Sequence, residues 1–153
     1  MNRYGQTLSL AVCGIILSVG NATAGAFFER NGLAIDGYDP VAYVTEQKPV
    51  KGLPEFHAEF LGSTFLFASA LHREAFAADP AKYAPQYGGY CAYGMAKGYK
   101  AKIDPEAFSV VHDTLYLNYS ETVRTRWLSD VPGYIQQANT NWPEVQKQTK
   151  VRD

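Results

Sequence analysis

The side chain best suited to covalent or metal chemistry lies in a segment of unusual make-up. Cys91 sits within Tyr87-Gly88-Gly89-Tyr90-Cys91-Ala92-Tyr93-Gly94-Met95-Ala96-Lys97-Gly98. The chain has two cysteines, and the other, Cys13, falls in an apolar N-terminal stretch. A lone thiol has three readings: packed and inert, reactive, or bound to something. Reactivity belongs to the thiolate, and an ordinary thiol with a pKa of about 8.5 is mostly protonated at neutral pH. Gly88-Gly89 leading into Tyr90–Ala96 predicts a loop entering a short helix that Lys97-Gly98 ends. Cys91 would then occupy the first turn, where the helix dipole favours an anion. Lys97, Lys100 and Lys102 are nearby cations that would lower the thiol pKa further.

Three histidines widen the possibilities. His57, His72 and Cys91 would make a His2Cys metal set with Met95 as a soft axial group, a combination suited to copper or zinc. His112 falls in a polar turn. No Cys-x-x-Cys is present, so a disulfide cycle at Cys91 would need a thiol partner from another protein or a small molecule. No Ser-His-Asp order, paired-carboxylate signature or phosphate loop stands out. An enzymatic role is therefore open and not favoured.

The elements that must position these residues read as α+β: a small antiparallel sheet of hairpins with about four helices in a single domain. Asp39 caps a short helix with Pro40 at its first position, Pro40–Val44. Phe56–Leu61 and Thr64–Phe67 form a hairpin about Gly62-Ser63, which puts His57 and Glu59 on its polar face. Ser69 caps a helix to Ala78 that carries His72. A second hairpin brackets His112-Asp113-Thr114. Ser120 opens a helix through Trp127. A last helix, Val131–Val145, packs Tyr134, Ile135, Ala138 and Trp142. Residues 147–153 read as frayed. No internal repeat is apparent.

Arg3, the uncharged Leu8–Val19 and Ala22-Thr23-Ala24 read as a signal peptide over residues 1–24, leaving 25–153 as the exported chain. The apolar run is too short for a spanning helix, so no stable membrane anchor is expected after cleavage. Leu10-Ala11-Val12-Cys13 is a poor lipidation box, because Val12 is bulky and most of the apolar run follows Cys13. The periplasm or the exterior is the expected location. A net charge of −1 argues against a nucleic-acid partner.

Between Tyr38 and Tyr83 the chain resembles the YHS domain, a small module related to metal-binding TRASH domains. Asp39-Pro40-Val41, Phe56-His57, Phe65-Leu66-Phe67-Ala68-Ser69, Phe76, Asp79-Pro80, Lys82 and Tyr83 carry the likeness. The positions where the metal-binding version has cysteines are Ala42, Ala68 and His72, so the resemblance implies the fold without its thiolate site. With Pro85–Tyr93 and Leu115–Tyr119 included, the exported chain is similar to bacterial YHS domain-containing (seleno)proteins. That likeness implies redox or nucleophilic chemistry at Cys91, where a relative would place selenocysteine. The expectation is a binding or redox module built on Cys91. A copper- or zinc-binding envelope protein and a non-catalytic interaction domain are the alternatives.

Overall fold

A computed structural model describes residues 26–153; the signal peptide expected over residues 1–24, and Cys13 with it, lie outside the described residues. In chain order the strands and α-helices are β1 (Glu29–Arg30), β2 (Leu33–Ala34), α1 (Pro40–Glu46), β3 (Leu53–Phe60), β4 (Ser63–Phe67), α2 (Ala70–Ala78), α3 (Pro80–Tyr83), α4 (Ala92–Ala96), β5 (Lys100–Ala101), β6 (Asp104–Val111), β7 (Thr114–Asn118), α5 (Glu121–Leu128), α6 (Val131–Val145) and β8 (Val151–Arg152). The fold is α+β, with six α-helices and small antiparallel sheets among the described residues. Besides the four longer helices, α3 is a single turn, and α4 is the short helix expected after Gly88-Gly89, with Cys91 as its N-cap. β1–β2, β3–β4 and β6–β7 are antiparallel pairs, and β5–β8 is parallel.

Local sequence sets these elements directly. Asp39, Ser69 and Ser120 cap α1, α2 and α5 through hydrogen bonds to the backbone of the first turn. Pro40 opens α1, where its missing N–H costs nothing. Along β3, half-buried Phe56, Ala58 and Phe60 alternate with exposed His57 and Glu59, as the period-two pattern requires. The hairpin turn differs from expectation by one residue. It is Leu61-Gly62, both at positive φ, so Ser63 belongs to the returning strand. The second hairpin likewise turns on His112-Asp113, both at positive φ. Two successive left-handed residues match the right-handed twist of the flanking strands.

The two hairpins are copies of one unit, contrary to the absence of a repeat in the sequence reading. A shift of 51 positions carries the β3–β4 register onto that of β6–β7: Leu53↔Phe67 becomes Asp104↔Asn118, and Phe60↔Ser63 becomes Val111↔Thr114. Even the irregularity recurs, between Leu53 and His57 and between Asp104 and Phe108. Ser69 donates its cap role to Ser120 under the same shift. Phe65 and Phe76 stack with ring centroids 5.0 Å apart at 36°; Tyr116 and Trp127 do so at 5.2 Å and 37°.

The likeness extends upstream with one residue of slippage. Ile35, Asp36 and Gly37 have φ of 44°, 58° and 74°; Tyr87, Gly88 and Gly89 have 55°, 62° and 73°. Each trio is followed by tyrosine, Tyr38 and Tyr90, and then by the cap of a short helix, Asp39 and Cys91. Asp39 N–H donates to Val50 O and Cys91 N–H donates to Ala101 O. Gly88 cannot be replaced freely, because a Cβ there would meet Ala26 O at 2.5 Å. The halves share few residue types, among them Pro54/Pro105, Glu55/Glu106, Leu66/Leu117, Ser69/Ser120 and Arg73/Arg124.

A continuous core joins them. Tyr43 of α1 is fully buried, packs on Phe108 at 5.0 Å and donates its hydroxyl to Pro105 O at 2.7 Å. Desolvation pushes that phenol far above its ordinary range, so the hydroxyl is fixed as a donor. α6 lies along α4, and Asn141 Nδ2 donates to Met95 O and Ala96 O, which closes the C-terminal end of α4.

In the first half, Asp39 is buried and its carboxylate is the hub. Oδ1 accepts from Val41 N–H at 2.8 Å and Ala42 N–H at 3.2 Å; Oδ2 accepts from Ala68 N–H at 2.8 Å and His72 Nδ1 at 2.6 Å. Removing it strands several donors at once. Asp39→Ala is expected to lose about 3–5 kcal/mol in urea unfolding, with Asp39→Asn losing less because one carbonyl acceptor remains.

Candidate functional site

Cys91 is the N-cap of α4 and is only 1% exposed. Gly94 N–H donates to its Sγ at 3.4 Å, while the thiol faces Asn118 Oδ1 at 3.6 Å as a donor. That same oxygen accepts Tyr93 N–H at 3.1 Å. Asn118 is fully buried at the end of β7, where the first half has Phe67, and its Nδ2 has no protein partner. Sequence reasoning missed Asn118 as a site residue. The available signal was a polar amide ending an apolar strand, Leu115-Tyr116-Leu117-Asn118, a residue type that strands disfavour.

The sulfur's electrostatics run against the expectation of a lowered pKa. Burial pushes the thiol up, and the backbone N–H groups of Gly94, Tyr119 and Tyr93 pull the other way with smaller effect. The three lysines are committed elsewhere. Lys97 Nζ lies 5.3 Å from the ring centres of Tyr93 and Tyr134. Lys100 Nζ donates to Gln146 O and Gln148 O, and Lys102 Nζ lies 3.5 Å from Asp153 Oδ1. The resting group is a neutral thiol.

Cys91 nevertheless lines a cavity of about 320 Å³, together with Tyr93, Tyr99, Tyr119, Val123 and Arg126, with Ala101, Arg152 and Asp153 completing the wall. Arg152 and Asp153 come from residues expected to fray. Lys100 prevents this: its buried ammonium holds the carbonyls of Gln146 and Gln148, which lets β8 pair with β5. Burial lowers the Lys100 pKa, yet two carbonyl acceptors satisfy the charge. Lys102 N–H then donates to Arg152 O at 3.0 Å, and the Arg152 guanidinium stacks 3.7 Å from the Tyr99 ring centre.

The histidines lie apart from this site. His57 is exposed on β3, with Nδ1 bonded to its own strand at Pro54 O. His72 is committed to Asp39 through Nδ1, and its Nε2 is 3.5 Å from Glu46 Oε1. Among the described residues no group of three His, Cys, Asp or Glu side chains could hold a metal ion. The His57–His72–Cys91 set is therefore not gathered into a centre. The physical reason is the repeat: His72 serves the first-half hub, and its second-half counterpart under the 51-residue shift is Val123, beside Cys91. The three positions at which the YHS resemblance would put cysteines also meet at this hub. Ala42 and Ala68 give it backbone N–H groups, and His72 gives it a ring nitrogen. Comparison with family models, characterised proteins and solved structures finds no match.

The raised thiol pKa fixes the sign of a pH effect. A group whose folded pKa exceeds its unfolded one stabilises fully below the unfolded value and loses that contribution as pH rises through the folded value. Wild type is expected to outlast Cys91→Ala in urea by more at about pH 7 than at about pH 9.5, around the ordinary thiol range. Equal differences at both values would mean the sulfur does not feel its burial.

Proposed function

We propose that this chain is an exported YHS-like module whose working atom is the Cys91 sulfur, acting in thiol redox or ligand binding. One observation carries the reading. Cys91 stands in the second half where Asp39 stands in the first, at the cap of an equivalent helix and on an equivalent backbone. In the first half that cradle of N–H groups, from Val41, Ala42 and Ala68, receives a carboxylate. In the second half the corresponding amides, Tyr93, Gly94 and Tyr119, favour the ionised form of the sulfur. A thiolate or an oxidised sulfur anion has the Gly94 donor already in place, with the Tyr93 and Tyr119 amides beside it.

The same geometry limits the chemistry. The S–H is stabilised by Asn118 Oδ1 and by burial, so the sulfur rests in its protonated state and engages when its surroundings change. The hydrogen-bond partners of the sulfur are an amide and a backbone N–H, neither of which is a general base. A binding or stoichiometric redox role is favoured over rapid turnover. The signal-peptide pattern of residues 1–24 supports placing the protein in the periplasm or outside the cell.

Native-state alkylation with iodoacetamide, followed by mass analysis, tests the sulfur. Cys91 is expected to label more slowly than a free thiol but at least about tenfold faster than the global unfolding rate measured in parallel. Labelling only at the unfolding rate would reduce Cys91 to a packing and capping residue.

A further inference from the structure

The cavity beside Cys91 holds features that neither the thiol nor the fold uses. Arg126 and Arg152 both line it, both are exposed, and neither has a carboxylate partner among the described residues. The one carboxylate side chain in the lining, Asp153, is turned to Lys102 Nζ at 3.5 Å. The Arg152 guanidinium lies on the Tyr99 face, which fixes its plane and leaves its edge N–H groups free for a bidentate acceptor. Tyr93, Tyr99 and Tyr119 supply flat apolar walls carrying hydroxyls. Behind the sulfur, buried Asn118 keeps an unpartnered Nδ2.

The repeat says what shape is missing. In the first half a planar ring, the His72 imidazole, rests against the Asp39 carboxylate at 2.6 Å. The counterpart of His72 is Val123, which has no ring, and the cavity is bounded by Cys91 and Val123, the counterparts of that hydrogen-bonded pair. Its volume of about 320 Å³ is at the small end of ligand sites.

We infer that the Cys91 cavity binds a small planar organic anion, a carboxylate on an aromatic or similarly flat body, with the flat part among Tyr93, Tyr99 and Tyr119 and the charge on Arg126 and Arg152. This rests on the reading of the Cys91 cavity as the functional site, but not on the sulfur being reactive. β8 forms a strap that bears Arg152 and is part of the site, and the cavity is incomplete without it.

Benzoate, with benzamide as its neutral analogue, is the probe. Each is titrated by NMR into the full chain, wild type and Cys91→Ser. Benzoate is expected to shift the signals of Tyr93, Tyr99, Tyr119 and Val123 in both proteins, with benzamide at least about fivefold weaker, the size of a close exposed charge pair. Arg126→Gln and Arg152→Gln, both at exposed positions, should each weaken benzoate about threefold or more and leave benzamide unchanged. Raising the salt should erode the benzoate preference. Equal binding of the two probes, shifts confined to other residues, or arginine variants that bind benzoate like wild type would each overturn the inference. Benzoate binding together with a Cys91 that alkylates only on unfolding would sink the thiol reading and leave this one standing.

Discussion

A carboxylate with almost no access to water organises the first half of this protein. Asp39 receives two N–H groups from α1, one from the end of β4 and a ring nitrogen from α2. One side chain thereby fixes a helix start, a strand exit and the orientation of the next helix. Taking a carboxylate out of water is costly unless its lone pairs are filled, and here four donors fill them. The arrangement is stable only as a set, so the helix, the strand end and the imidazole are held in mutual register.

The second half keeps the backbone of that arrangement and changes the atoms at its centre. Cys91 takes the cap position, Asn118 replaces Phe67 at the buried end of the strand, and Val123 replaces His72 on the helix. Each change loosens the centre: a weaker acceptor, an amide whose nitrogen is unpartnered, and an aliphatic group in place of a ring. The first half is a closed polar knot. The second is the same knot opened to a cavity, with aromatic walls and two guanidinium groups at its border. One fold unit thus serves once as scaffold and once as a candidate site.

Much of this architecture is local and was legible in the sequence. The caps Asp39, Ser69 and Ser120, the proline at the start of α1 and the alternation along β3 are decided within a few residues. What escaped was one local turn and the non-local contacts. The turn slipped by one because Leu61 accepts a left-handed conformation that its side chain does not advertise. The repeat was hidden because the halves agree in backbone register and in a few packed rings, not in residue type: Phe65 and Phe76 become Tyr116 and Trp127 with the ring geometry kept. The partners of His72 and Cys91 were hidden because Asp39 is 33 residues from the first and Asn118 is 27 from the second. Lysine-rich sequence beside Cys91 suggested a cationic field, yet side chains that long reach carbonyls and rings instead.

The β5–β8 pairing has a kinetic side. Each hairpin closes over two residues, while Gln148 reaches Gly98 across 50. Loop-closure entropy favours the short loops, so both hairpins form before the strap docks. A two-residue, exposed strand paired on one side only is also the natural first piece to detach from the native state. The cheapest opening of the molecule is therefore expected to lift Arg152 and Asp153 away from the Cys91 cavity while the core stays formed.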